Sequence, residues 1–207
     1  MSHLTADASA EAVHSFLIDL RATGVQERAL RVGDRAPNVT LPDALGRPVR
    51  LADLWARGPL VVSFYRGSWC PYCTSELRAW QQRLGELDAL GATLVAISPQ
   101  TPDNSLTTAQ KNALAFSVLS DSNLEAANGF EVATTLAPEL VDLYGVGGAN
   151  LPVLNGNGHW VLPVPATFVI DTEGVIQFAH VDVDYRERAE PDDVLDAVQR
   201  LSEVAYG

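Results

Sequence analysis

Short apolar runs recur along the chain at Leu60–Phe64, Thr93–Ile97 and Ala166–Ile170, and Phe116–Leu119 reads as a further short strand. Runs of this length with no polar alternation read as strands buried on both faces. Between them the apolar spacing changes to that of a helix. Leu77, Trp80, Leu84 and Leu87 fall at i, i+3, i+7 and i+10, and Gly91 closes the segment. Ser98 to Asp103 break the second run and launch a helix over about 103–114. Further helical stretches are expected near 123–128 and 138–144. At the end of the chain Pro191 opens a helix with Asp192 and Asp193 in its first turn, and Val194, Leu195, Val198 and Leu201 make one apolar stripe.

The flanks are quieter. Residues 9–23 place Val13, Phe16, Leu17 and Leu20 on one helical face ahead of Gly24, a stripe expected to bury against its own domain rather than a partner. Val39–Leu41 and Val49–Leu51 read as short strands around a Pro42–Gly46 turn, followed by a helical turn over Ala52–Trp55. Asp171–Gly174 reads as a hairpin turn from which Val175–Val181 returns antiparallel. Residues 145–163, rich in glycine with Pro152 and Pro163, read as a loop or loose hairpin near a site mouth. The order β-β-β-α-β-α-β-α-β-β-α predicts an α/β fold: a mixed central β-sheet with helices on both faces. Residues 1–31 form an N-terminal helical extension and residues 32–207 the domain.

Composition narrows the function. A hydrophobic content of 47% over 207 residues suffices for one core. No apolar run approaches the ~20 residues of a membrane helix, and the first residues lack a secretion signal's basic and apolar regions, so a cytoplasmic protein is expected. A net charge of −12 argues against nucleic acid or an anionic membrane as partner.

The candidate chemistry lies in Trp69-Cys70-Pro71-Tyr72-Cys73, which holds both cysteines where a buried strand gives way to a helix. Unpaired N–H groups and the positive end of the helix dipole favour thiolate there, and thiolate is the reactive form. A metal site needs about four ligands, and His3, His14, His159 and His180 show no matching spacing. The pair could also be two inert buried cysteines or a structural disulfide. A Cys-x-x-Cys beside a βαβ pattern without a secretion signal reads instead as a redox dithiol.

Over about 32–180 the chain resembles the thioredoxin-fold superfamily, more narrowly the alkyl hydroperoxide reductase/thiol-specific antioxidant (AhpC/TSA) group of peroxiredoxin-like proteins. The resemblance is carried by Gly33-Asp34-Arg35-Ala36-Pro37, Asp43–Gly46, the cysteine centre, Leu119-Ser120-Asp121 and Pro165–Gly174. It implies a thioredoxin-like fold and a thiol peroxidase acting on hydrogen peroxide or organic hydroperoxides. The peroxiredoxin signature Pro-x-x-x-Thr-x-x-Cys, laid on Cys73, finds Cys70 at the Thr and Arg66 at the Pro, while Pro165 stands at the family's Arg. Thioredoxin-like reductases instead carry Trp-Cys-x-x-Cys and a cis-proline before the same strand, and Cys-Pro-Tyr-Cys is the glutaredoxin centre. A thiol-disulfide oxidoreductase is therefore the second reading, and a non-catalytic redox-sensing or binding protein the third.

By the thioredoxin pattern, Cys70 is the exposed low-pKa nucleophile and Cys73 resolves the intermediate as a disulfide. The resemblance also implies a cis-Pro165 facing the sulfurs. Arg66, four residues before Cys70, is a candidate donor to the peroxide, as are Arg186 and Arg188; Arg66 could equally be a solvated surface residue. Glu76, three residues after Cys73, shares its helical face and is a candidate proton carrier or a carboxylate steadying the helix's first turn. Trp69 shields the centre or serves as plain core. Asp182 and Asp184 read as a solvated face, while Asp103, Asp121, His159 and Trp160 sit in loops within reach. No nicotinamide or flavin fingerprint appears and no cofactor is expected. Thioredoxin, glutaredoxin or glutathione would then supply electrons, and a homodimer is the family's common habit.

Overall fold

The computed structural model describes residues 14–138, 141, 144 and 149–205. A helix over 14–22 (α1) turns at Gly24, in the left-handed region at φ 68, into the short helix Val25–Arg28 (α2). Strands Thr40–Pro42 (β1) and Pro48–Arg50 (β2) pair as an antiparallel hairpin, with helix Leu51–Trp55 (α3) directly behind. Then come strand Leu60–Phe64 (β3), helix Pro71–Ala89 (α4), strand Thr93–Ser98 (β4), helix Pro102–Lys111 (α5), strand Ser117–Ser120 (β5) and helix Glu125–Gly129 (α6). Strand Ala133–Thr135 (β6), helix Leu151–Leu154 (α7) and strands Val161–Pro163 (β7), Ala166–Ile170 (β8) and Ile176–Val181 (β9) lead to the last helix, Pro191–Ala205 (α8).

The central sheet runs β5-β4-β3-β8-β9. β3 pairs parallel with β4 and antiparallel with β8, so the sheet is mixed. Both β3 and β8 are buried at every residue, as their uninterrupted apolar runs require. Successive side chains of β3 enter opposite layers. Val62 and Phe64 face a core shared with α1, α3 and α6, and Phe64 meets Phe130 edge-on at 5.2 Å. Val61 and Tyr65 face a second core built from Cys73, Leu77, Trp80 and Leu87 of α4 with Val194 and Val198 of α8. Arg83 of α4 reaches Asp192 of α8 at 2.7 Å across that layer.

Phe16, Leu17 and Leu20 join the first core, so the α1 stripe docks on its own chain. Val13 and the rest of the expected helix start lie outside the described residues, as do much of the helix expected over 138–144 and residues 145–148.

The 145–163 segment is not all loop. It contains α7, and β7 pairs antiparallel with β6, which the apolar pattern did not reveal. Strands of three residues carry too little period to stand out from surrounding Gly and Pro.

Candidate active site

Tyr65 continues β3 into the cysteine loop, its N–H bonded to Ile97 O at 3.0 Å. The chain then turns at Gly67 (φ 152), where an added Cβ would run into Trp69 Nε1. Gln100, fully buried just after β4, clamps this loop from below: it accepts from Ser68 N at 2.9 Å, and its Nε2 donates to Ser68 Oγ at 3.3 Å.

Cys70 is the N-cap of α4, with extended backbone (φ −91, ψ 112) and Pro71 starting the helix. Its Sγ takes the place of the usual capping oxygen, accepting from Cys73 N at 3.4 Å. Arg66 Nη2 donates to the same sulfur at 3.2 Å, and Arg66 Nη1 donates to Tyr144 Oη at 2.8 Å. The guanidinium lies 4.2 Å from the Tyr185 ring centre and 5.2 Å from that of Trp69, two cation–π contacts. Trp69 meets Tyr144 edge-on at 5.2 Å, closing the cover.

The surface position expected for Cys70 is therefore corrected: both cysteines have 0% exposure. Arg66, itself only 7% exposed, and its aromatic neighbours cap the sulfur instead of solvent. Apolar side chains of the second core surround the pair, yet Arg66 and Arg188 each reach one sulfur, at 3.2 and 3.5 Å, which an inert core thiol would lack. In this arrangement the Cys70 sulfur is closed to solvent.

The two thiols are driven apart electrostatically. Hydrogen bonding from the Cys73 thiol, then the charge of Arg66 and the helix N–H, hold Cys70 down at about 5 against the effect of burial. Burial, with the Cys70 anion alongside, pushes Cys73 well up. One sulfur is thus a thiolate at neutral pH, and the other is its proton-bearing neighbour.

On the far side of the pair, the Glu76 side chain is only 8% exposed and accepts from Arg188 Nε at 2.6 Å, with Ser63 Oγ donating to it at 3.3 Å. Burial raises the Glu76 carboxyl despite the Arg188 charge. Arg188 Nη2 reaches Cys73 Sγ at 3.5 Å.

Pro165 lines a small cavity behind Arg66 with Tyr144, Tyr185, Phe16 and Leu20. The cis bond expected there is absent, since no peptide among the described residues is cis. Val164 N extends the β6–β7 pairing to Val132 O at 2.9 Å, and Pro165 O accepts from Asp182 N at 3.3 Å, so the segment is held extended on both sides.

The remaining candidates divide. Arg186 pairs with Asp184 at 2.6 Å and makes no bond to either sulfur. Asp184 is buried, which corrects its reading as a solvated carboxylate; it caps its own turn by accepting from Arg186 N at 3.0 Å. Asp121 is a buried cap accepting from Ala126 N and Ala127 N, raised to about 6 by burial. Asp103 occupies the first turn of α5, and His159 lines a groove with Asn128, Thr134 and Thr135. Trp160 packs against the first core. Gln100, Tyr144 and Tyr185 carried no sequence signal for the site, because their positions follow from strand register and loop path.

The AhpC/TSA family matches residues 32–179, and the chain belongs to it. It is 31% identical over 154 residues to Rv2521 of Mycobacterium tuberculosis, a candidate peroxiredoxin by its name, covering 74% of this chain and 87% of that one. It is 28% identical over 169 residues to the chloroplastic peroxiredoxin Q of Sedum lineare, covering 82% and 76%. The crystal structure of peroxidoxin BcpB from M. tuberculosis superposes with a TM-score of 0.66 at 24% identity, over 83% of this chain and 98% of that one. The mixed five-stranded sheet is thus the thioredoxin-like fold of the peroxiredoxins, and the chain is a thiol peroxidase, an oxidoreductase.

Proposed function

We propose that the protein reduces hydrogen peroxide or organic hydroperoxides through a Cys70/Cys73 dithiol–disulfide cycle. The Cys70 thiolate attacks one peroxide oxygen. The S–O bond forms as the O–O bond breaks, and the departing alkoxide or hydroxide leaves as alcohol or water once protonated. Arg66 steadies the charge that develops on that oxygen. Cys73 then condenses with the Cys70 sulfenic acid to a disulfide and water, which protects the sulfur from irreversible oxidation. Trp69 and Pro165 shape the cover over the site, and Glu76 serves the Cys73 side.

An external thiol restores the dithiol, and thioredoxin, glutaredoxin or glutathione fits that need in a cytoplasmic protein. The extension over residues 1–31 packs on the 32–207 domain through Phe16, Leu17 and Leu20 of its described part, and a homodimer fits the family habit. The observation that carries this reading is the buried guanidinium 3.2 Å from a sulfur that caps a helix.

Stopped-flow oxidation of the reduced protein by hydrogen peroxide, set beside its rate of insulin-disulfide reduction, is the test. Fast peroxide oxidation with slow insulin reduction is expected. The reverse ranking would make the protein a disulfide reductase.

A further inference from the structure

When a peroxide O–O bond breaks, the departing oxygen takes an electron pair and needs a proton to leave as water or alcohol. Arg66 steadies that charge but keeps its own protons throughout the neutral range. The Cys73 thiol is committed to the Cys70 sulfur, to which it donates. A separate acid is called for, and Tyr144 stands where one is needed.

Arg66 is forked between the sulfur and the phenol. Its Nη2 donates to Cys70 Sγ at 3.2 Å and its Nη1 donates to Tyr144 Oη at 2.8 Å, so one rigid guanidinium holds both groups. Tyr144 Oη accepts that bond, and its own O–H donates to no other described residue. The Tyr144 ring is set edge-on against Trp69 at 5.2 Å. Tyr185, the other phenol here, offers the guanidinium its ring face at 4.2 Å rather than its hydroxyl.

Arg66 and Tyr144 also wall one small cavity, whose other faces include Phe16, Leu20 and Pro165. Its free space of about 10 Å³ is close to the ~10–15 Å³ that one water needs. Arg66 Nε is buried and has no hydrogen-bond partner among the described residues. Two side chains with a donor to spare thus border a mainly apolar space the size of the water that hydrogen peroxide leaves behind. An oxygen anion would be poorly solvated there, which favours its protonation on the spot.

The acidities suit the transfer. A phenol, near ~10, is far more acidic than the water that hydroxide becomes, near ~15.7. Burial raises the Tyr144 hydroxyl despite the Arg66 charge, so its proton is in place at neutral pH.

We infer that Tyr144 is a catalytic acid of the peroxide step, giving its phenolic proton to the departing oxygen. This role rests on the peroxidase reading above, in which the Cys70 thiolate attacks the peroxide. The sulfur electron pair forms the S–O bond to the near oxygen, which keeps its hydrogen as the sulfenic acid. The O–O bond breaks towards the far oxygen, and the Tyr144 O–H bond breaks as its proton moves there. Sulfur is oxidised by two electrons, and the peroxide is reduced to water or alcohol. The tyrosinate, beside the Arg66 charge, then recovers a proton from water.

Stopped-flow loss of the thiolate absorbance in the intact reduced protein measures this step. Hydrogen peroxide and peracetic acid are compared in the parent and in Tyr144→Phe, which keeps the ring against Trp69. Hydrogen peroxide expels hydroxide and needs the acid. Peracetic acid expels acetate, a carboxylate that is stable without a proton at neutral pH. Tyr144→Phe should slow hydrogen peroxide about 100-fold, the low end for loss of a general acid, and leave peracetic acid within roughly threefold of the parent. A disturbed cover or a weakened Cys70 thiolate would slow both oxidants alike. Equal slowing, or no slowing with either, overturns the role of Tyr144 and leaves the peroxidase reading standing. A parent protein whose thiolate survives both oxidants overturns that reading and the role together.

Discussion

Arg66 carries the account at the level of single residues. Without its charge Cys70 keeps the Cys73 donor and the helix terminus but loses the nearest cation. Arg66→Gln should raise the Cys70 pKa from about 5 by roughly 1–3 units, read from the ultraviolet absorbance of the thiolate during a pH titration. The sign of the pH dependence follows. Thiolate is the reactive form, so the parental rate of peroxide oxidation should stay level from neutrality downward and fall as pH drops through about 5. In Arg66→Gln that fall should come at higher pH. An unmoved midpoint would show that Arg66 does not set the thiolate. The same shift feeds stability. A thiol whose folded pKa is depressed stabilises the reduced fold above the free-thiol range, and loses that contribution as pH falls through about 5.

At the level of elements, the site is a strand end, a clamped loop and a helix start. The strand and helix were legible because a continuous apolar run and a 3.6-residue stripe are local signals, and β3 and β8 fall at the residues expected from them. The cover over Cys70 was not. Tyr144 lies 78 residues from Arg66 in sequence, and Arg188 lies 115 from Cys73. Such pairings depend on how the sheet closes, which no window of sequence reports. Gln100 is the clearest case: in the sequence it stands inside a segment that ends a strand and launches a helix, and in the fold it tethers Ser68. Gln100→Ala should cost about 1–3 kcal/mol in denaturant unfolding and should also raise the Cys70 pKa, because the loop that presents Arg66 is released. Lost stability with an unchanged Cys70 pKa would reduce Gln100 to a packing role.

For the molecule as a whole, the two cores meet beside the cysteine pair at Trp69, which packs against both. Cys70 and Cys73 sit in the α4–α8 layer, while Phe16 and Leu20 of α1, in the opposite layer, back the cavity behind Arg66. The N-terminal helix is thereby tied to the site through packing. Leu20→Ala removes a buried side chain and should destabilise the fold by about 2–5 kcal/mol in denaturant unfolding. It should also enlarge the space behind Arg66 and quicken the reaction of Cys70 with a neutral thiol reagent. An unchanged reaction rate would mean that α1 braces the fold without controlling access.

The division of labour between the two sulfurs is most directly tested by treating Cys70→Ser and Cys73→Ser separately with hydrogen peroxide, trapping sulfenic acid with dimedone and locating it by peptide mass spectrometry. Cys73→Ser should accumulate the adduct on Cys70, and Cys70→Ser should stay unlabelled. An adduct on Cys73 in Cys70→Ser, with none on Cys70 in the other variant, would reverse the roles and contradict the account.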